Sequence, residues 1–280
     1  MQKVSKKTFS FVLLAIMIVF AIAALAYFSS KEEADTLLKE YASLLPAEPL
    51  LERGVPSYVE IIESCGALFE GDCVNIRIDP NIDAPSYMQA RAGMVLPVAK
   101  ETVTDESGRE WYRVQFTEWI RYADRVPKDL FVAKEFVTAV YNHAPENLPT
   151  VGAVKTNKRM VVDRSEQTLS AYEGDELYMQ TTISTGLDLS PTPRGTFTVF
   201  RKTPSRYMQG PLPGISDQYY DLPGVPWNLY FTQEGGAIHG AYWHNDFGTQ
   251  RSHGCVNVPL DVARRLYEWA PVGTIVLVQD

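Results

Sequence analysis

The sequence has few cysteines, few histidines and no excess of basic side chains, and each shortage excludes a class of protein. Three cysteines in 280 residues are too few for a fold held together by disulfides. The chain has 34 acidic against 26 basic side chains, whereas a nucleic-acid-binding protein needs a basic face. Hydrophobic residues make up 45% of the chain, which excludes disorder throughout and is typical of globular domains.

The amino-terminal segment carries a membrane signal. Three lysines precede an uncharged apolar run, residues 9–28, which is long enough to cross a bilayer as a helix with its positive flank in the cytoplasm. Ala24 and Ala26 also fit a cleavage site. The segment is therefore predicted to be either a transmembrane anchor in the cell membrane or a cleaved signal of a secreted protein. In both cases the rest of the chain is extracytoplasmic.

Export places the cysteines in an oxidising compartment, where disulfides persist. Cys65 and Cys73 lie eight positions apart, and we expect them to form a disulfide, with two reduced buried thiols as the alternative. Because the cysteine count is odd, Cys255 is then a free thiol. A free thiol without a purpose is a liability there, which favours a catalytic role for Cys255.

Composition shifts and turn signals divide the chain into five segments. These are a membrane segment (1–30), a stem (31–57), a first β-rich segment (58–141), a linker (142–153) and a second β-rich segment (154–280). Short strands between turns predict a small barrel in the first β-rich segment. The second is predicted to be mostly β, with strands that include 196–201, 228–232, 237–241 and 274–278, and with one late helix that begins near Pro259.

The histidines cluster in the second β-rich segment. His239, His244 and His253 fall within 15 residues, close to Cys255. A nucleophilic cysteine needs a neighbouring base, which is commonly an imidazole. Gly254 suits a tight turn that presents the thiol and leaves backbone N–H groups free for an oxyanion hole.

Two further features bear on this cluster. The helix that starts near Pro259 is expected to bring its N-terminus close to Cys255 and to favour the thiolate. The alternative is zinc, since the three histidines and Cys255 are all ligand types. The spacing lacks the paired pattern of structural zinc sites, so we expect no metal and no other cofactor.

Two stretches resemble known families. Val74–Arg77 and Glu110–Val114 resemble a bacterial SH3-like domain, which either binds wall peptides or acts as a spacer. His239, followed after twelve residues by the run Ser252-His253-Gly254-Cys255-Val256-Asn257, closely resembles the L,D-transpeptidase (YkuD) signature. The second resemblance extends over about residues 155–280 and implies the β-rich catalytic fold of that family.

The YkuD resemblance implies acyl transfer on peptidoglycan that forms 3→3 cross-links in wall biogenesis. Cys255 would attack the third residue of a tetrapeptide stem, and His239 would act as base and then acid. The Gly240 carbonyl would orient His239, and backbone N–H groups around His253 and Gly254 would bind the oxyanion. The expected partners are a tetrapeptide donor, an amine acceptor and, through residues 1–30, the membrane, with no nucleic acid. The resemblance also implies acylation of Cys255 by carbapenems.

Other residues of the cluster have subsidiary predicted roles, and other functions remain open. Arg251, Ser252, Trp243 and Tyr230 are candidates for substrate binding, and Asn257 is expected to hydrogen-bond the turn. Water as the acceptor would make the protein an L,D-carboxypeptidase. The remaining alternatives are another wall peptidase that uses the same thiol, a zinc hydrolase and a non-catalytic wall-binding protein.

Overall fold

Strands form nearly all of the regular structure. The computed structural model of the protein describes residues 57–141, 156–214 and 216–280, and these ranges contain 16 strands and one α-helix. The prediction of a mostly β fold with one late helix is therefore confirmed. No helix in the described ranges is long and apolar enough to cross a membrane. The predicted membrane segment, the linker and all but the last residue of the stem lie outside those ranges.

The first β-rich segment forms a seven-stranded antiparallel sheet with the order β3-β2-β6-β5-β4-β1-β7. Its strands are β1 Tyr58–Ile61, β2 Val74–Arg77, β3 Ser86–Ala90, β4 Val95–Thr104, β5 Glu110–Val114, β6 Leu130–Ala133 and β7 Val137–Val140. Alternation of buried and half-buried side chains along β2 gives the sheet one apolar face. The SH3-like identity of this segment stays a prediction.

Cys65 and Cys73 form a disulfide in the connection between β1 and β2. The Ser64 hydroxyl donates to the Ala90 carbonyl at 2.6 Å and accepts the Val74 N–H at 2.8 Å, which ties the same connection to the sheet. Among the described cysteines, Cys255 is the free thiol.

The second β-rich segment forms two sheets, with strand orders β10-β9-β8-β16-β11 and β12-β13-β14-β15. The strands are β8 Lys158–Asp163, β9 Thr168–Glu173, β10 Glu176–Thr182, β11 Gly195–Thr198, β12 Arg201–Gln209, β13 Asp221–Tyr230, β14 Ala237–Gly240, β15 Val256–Val258 and β16 Ile275–Gln279. Two pairs are parallel, namely β8 with β16 and β14 with β15. Fully buried side chains from both sheets share one core with the helix, including Met160, Leu229, Ile238 and Leu266.

The helix α1, Leu260–Trp269, begins directly after Pro259 and buries one face on this core. Val262, Ala263 and Leu266 recur at helical spacing on the buried face. The Lys202 ammonium donates to the Tyr267 carbonyl and, at 2.8 Å, to the Ala270 carbonyl, so it satisfies acceptors that the helix end leaves open. Burial lowers the pKa of Lys202 to about 8.

The strand predicted over 196–201 is wrong in its extent, because the chain changes sheets there. β11 ends at Thr198 on the sheet of β16, and β12 begins at Arg201 on the sheet of β13. The length of β12 and of β13 was not predicted either, since Pro204, Pro223 and Pro226 interrupt the strand pattern. β15 was missed because it has three residues.

The first sheet packs directly against β12 and β13, and the described residues all lie in one compact unit, Val55–Asp280. The Ser205 hydroxyl on β12 donates to the Val95 carbonyl on β4 at 2.5 Å. Gly224 on β13 has a φ of +66°, and a Cβ there would lie 2.9 Å from both the Val95 carbonyl oxygen and Leu96 Cδ2. Only glycine permits this approach without displacement of β4.

We predict that alkylation of the denatured, unreduced protein labels one thiol and that reduction exposes two more. The disulfide between Cys65 and Cys73 removes both from reaction, whereas Cys255 reacts. Intact mass with peptide mapping provides the measurement. Three labelled thiols before reduction would contradict the disulfide.

We predict that Gly224→Ala lowers the free energy of unfolding by about 1–3 kcal/mol more than Gly108→Ala does, because the added methyl overpacks the contact with β4. Both glycines have positive φ, but a Cβ at Gly108 would meet nothing within 4 Å. Gly108→Ala therefore loses free energy of unfolding through backbone strain alone, by roughly 1–2 kcal/mol. Urea unfolding of the two variants gives the difference, and equal losses would show that β4 and β13 do not pack as described.

Candidate active site

The parallel pairing of β14 with β15 brings the predicted catalytic residues together. His239 pairs with Asn257 in this register. Cys255 lies in the bend directly before β15, two positions from Asn257. The backbone N–H of Ala237, two positions before His239, bonds to the Cys255 sulfur. Cys255, His239 and Asn257 all line one cavity of about 740 Å³.

The imidazole of His239 is buried and fixed in one tautomer. Its Nδ1–H donates to the Gly240 carbonyl at 3.0 Å, as expected for the orienting role predicted for Gly240, so Nε2 is the acceptor nitrogen. Burial lowers the pKa of His239 to about 4, which leaves the ring neutral at pH 7. Gly240 has no room for a side chain, since a Cβ would lie 2.9 Å from Pro226 and 3.1 Å from Ala263.

Asn257 joins two imidazoles. Its Nδ2–H donates to His239 Nε2 at 3.2 Å, and its Oδ1 accepts from His244 Nε2, also at 3.2 Å. The expectation that this side chain hydrogen-bonds the turn is wrong, because β15 directs it across to β14. The backbone N–H of Asn257 donates to the Ser184 carbonyl at 2.8 Å, and the Asn257 carbonyl accepts the Ser184 N–H at 2.9 Å. His244 is buried, and within the described ranges its Nδ1 has no partner.

The thiol of Cys255 is protonated in the free protein. Burial raises its pKa, and the Ala237 N–H and the charge of Arg206 oppose that shift only in part. The three residues of β15 lie between Cys255 and α1 in the chain, and an effect of the α1 N-terminus on the thiol stays a prediction. The site therefore holds a neutral thiol beside a neutral imidazole.

The turn before Cys255 is held by Ser252. Gly254 has a φ of +113°, and its N–H donates to Ser252 Oγ at 3.2 Å. The Ser252 hydroxyl in turn donates to the Cys255 carbonyl. The structure thus places Ser252, predicted to bind substrate, in the framework of the turn, and the Gly254 N–H predicted for the oxyanion hole is already bonded.

Residues 157–278 match the family model for the L,D-transpeptidase catalytic domain (YkuD). This segment is a YkuD domain. The resemblance predicted over residues 155–280 is confirmed.

Solved structures of L,D-transpeptidases resemble the chain at low identity. A crystal structure of an Enterococcus faecium L,D-transpeptidase variant is 27% identical, with 44% of this chain and 50% of that chain covered and a TM-score of 0.40. The E. faecium catalytic domain acylated by ertapenem is 28% identical, with coverage of 45% and 98% and a TM-score of 0.39. The enzyme from Mycobacterium smegmatis is 21% identical, with coverage of 79% and 99% and a TM-score of 0.42. The match to the first of these structures covers half the length of that chain. No curated protein matches the sequence.

The other predicted substrate residues line the same cavity as Cys255 and His239. Trp243 is half-buried, with its ring 5.8 Å from that of His239. Tyr230 is buried, and its hydroxyl has no partner among the described residues. Arg251 is exposed at the rim and pairs with Asp246. These residues line the same cavity as Cys255, which fits the predicted role.

Sequence reasoning missed several residues that line the cavity. Tyr220 stacks on His253, with ring centroids 5.2 Å apart and planes 20° apart, and burial raises its pKa to about 12. Trp119 and Arg121 reach the cavity from the first sheet segment, outside the YkuD domain. No local signal marked them, because only the tertiary packing brings them there.

The described part of the chain contains no cluster of ligands of the kind that the zinc alternative requires. No group of three or more His, Cys, Asp or Glu side chains there is arranged to hold a metal ion. The imidazoles of His239 and His244 are joined through the Asn257 amide instead.

We predict that His239 makes the fold less stable in mild acid. Its unfolded form takes up a proton below pH 6.5, whereas its folded form does so only near pH 4. The contribution of neutral His239 to the free energy of unfolding is therefore present above pH 6.5 and is lost as the pH falls towards 4. The loss between pH 7 and pH 5 is about 2 kcal/mol. Urea unfolding at both pH values should show this additional loss in wild type relative to His239→Gln. Parallel losses in both proteins would mean that His239 is not held neutral.

Proposed function

We propose that the protein is a peptidoglycan L,D-transpeptidase that acts through a Cys255 acyl-enzyme. The observation that carries the proposal is the YkuD domain in which His239 on β14 and Cys255 directly before β15 line one cavity. The predicted N-terminal segment would deliver this domain to the outer side of the cell membrane, where its substrate lies.

The first half-reaction forms a thioester. His239 Nε2 gives up the hydrogen bond from the Asn257 amide and takes the thiol proton of Cys255 as the sulfur attacks the carbonyl of the third stem residue. Because burial disfavours both the thiolate and the imidazolium, proton transfer accompanies attack instead of preceding it. The bond from that carbonyl to the D-alanine nitrogen then breaks, and His239 returns the proton to the leaving amine.

The negative charge on the tetrahedral intermediate needs donors at the turn. Backbone N–H groups around His253 and Cys255 are the nearest candidates, each contributing about 3–4 kcal/mol as an oxyanion donor. The Gly254 N–H can contribute after it leaves Ser252 Oγ, to which it is bonded at 3.2 Å.

The second half-reaction consumes the thioester. The side-chain amine of a second stem attacks the acyl carbon, its proton passes to His239, and the thiol leaves. The product is a 3→3 cross-link. With water in place of the amine the same steps give an L,D-carboxypeptidase, and the product distinguishes the two.

We predict that the purified full-length chain, given tetrapeptide donor and amine acceptor, releases D-alanine and forms the cross-linked dimer. Cys255→Ala should reduce the rate at least 1,000-fold while it keeps the wild-type circular dichroism, because the nucleophile is lost. Mass spectrometry of the products makes the measurement, with chelator as a second arm.

The same experiment has clear contrary outcomes. Equal products from wild type and Cys255→Ala would refute the thiol mechanism. Loss of activity in chelator would favour the zinc hydrolase, and tripeptide without dimer would favour the carboxypeptidase. Because the E. faecium catalytic domain is acylated by ertapenem, we also expect one ertapenem adduct on wild type and none on Cys255→Ala.

A further inference from the structure

One wall of the catalytic cavity comes from the connection between β5 and β6 of the first sheet. Trp119 and Arg121 in that connection line the cavity together with His239 and Cys255. Both lie outside the matched YkuD domain, residues 157–278. The cleft is therefore composite, and two of its lining residues are supplied by a segment with no part in the catalytic signature.

The β5–β6 connection is fixed to the YkuD domain on both sides of these two residues. Before them, Glu118 Oε1 accepts the Tyr207 N–H at 2.6 Å. After them, the Tyr122 N–H donates to Gln209 Oε1 at 2.8 Å, and the Tyr122 hydroxyl donates to the Pro211 carbonyl at 2.9 Å. These bonds hold the backbone between Glu118 and Tyr122 at the cavity edge, where the side chains of Trp119 and Arg121 are exposed.

The charges along the cavity single out Arg121. Arg206 pairs with Glu118 at 3.4 Å, and Arg251 pairs with Asp246. Within the described ranges Arg121 pairs with no carboxylate, and its guanidinium lies 5.3 Å from the Trp119 ring. Glu234 is the acidic side chain among the lining residues, and it does not come within ion-pair distance of Arg121. Among the arginines that line this cleft, Arg121 is thus the one whose guanidinium is available to bind an anionic group of a ligand.

We propose that Arg121, supported by Trp119, binds a carboxylate of the stem peptide and so makes the first sheet part of the substrate site. The inference rests on the proposed function, because that function makes a carboxylate-bearing peptide the occupant of the cleft. A guanidinium matches a carboxylate with two parallel N–H···O bonds, which a lysine cannot reproduce. The C-terminal carboxylate and a side-chain carboxylate of the stem are the two sources of this chemistry.

The test compares Arg121→Gln with wild type in the full-length chain. We expect KM for the tetrapeptide to rise about tenfold with kcat nearly unchanged, since a charge-assisted contact to a carboxylate is lost in ground and transition states alike. Arg121→Lys should recover only part of the affinity. The matched control is Arg113→Gln, which removes an exposed arginine of β5 that pairs with Asp129 away from the cavity. It should leave KM unchanged.

Two peptide arms identify the carboxylate. One tetrapeptide carries a C-terminal amide and the other an amidated acidic side chain. If one of these amidated peptides gives wild type and Arg121→Gln the same KM, then the carboxylate that it lacks is the one that Arg121 binds. If Arg121→Gln weakens every peptide equally, or weakens none, the proposed contact is wrong.

A binding measurement separates this inference from the proposed function. Calorimetry of the tetrapeptide with Cys255→Ala, and with Cys255→Ala carrying Arg121→Gln, compares Kd without turnover. A tenfold difference in Kd supports the Arg121 contact even if wild type forms no product, a result that would overturn the proposed function alone. Equal Kd values beside an active wild type would overturn the Arg121 contact alone.

Discussion

The site depends on the parallel pairing between β14 and β15. That pairing places His239 opposite Asn257, and Cys255 lies in the bend directly before β15. The amide of Asn257 then joins His239 to His244, and the backbone of Asn257 bonds to Ser184. A shift of one residue in this register would turn Asn257 away from His239. The bond between Asn257 and His239 is thus a property of the sheet.

Burial gives this arrangement its chemical character. It raises the pKa of the Cys255 thiol and lowers that of the His239 imidazole, so both groups are neutral in the free protein. Because the thiolate is the form that oxidants attack, a protonated thiol is the less easily oxidised form of this free cysteine. In the proposed mechanism, the thiolate and the imidazolium form only as the proton moves during attack on a bound substrate.

Sequence reasoning succeeded where patterns are local. Helical spacing found α1, strand alternation found the β-rich segments, and the run from Ser252 to Asn257 identified the YkuD domain. It failed where tertiary packing decides. Prolines concealed the long strands β12 and β13, and the bridge from Asn257 to His239 exists only once β15 lies beside β14. Arg121 lines the cleft although it lies 134 positions before Cys255 in the sequence.

The central claim is that Cys255 carries the acyl group between donor and acceptor. The direct test is peptide mapping by mass spectrometry of the protein quenched in acid soon after donor tetrapeptide is added without acceptor. The account predicts a thioester-linked tripeptide on the fragment that contains Cys255, with an equivalent of D-alanine released. D-Alanine release without any covalent adduct, or an adduct mapped to another residue such as Ser252, would contradict it.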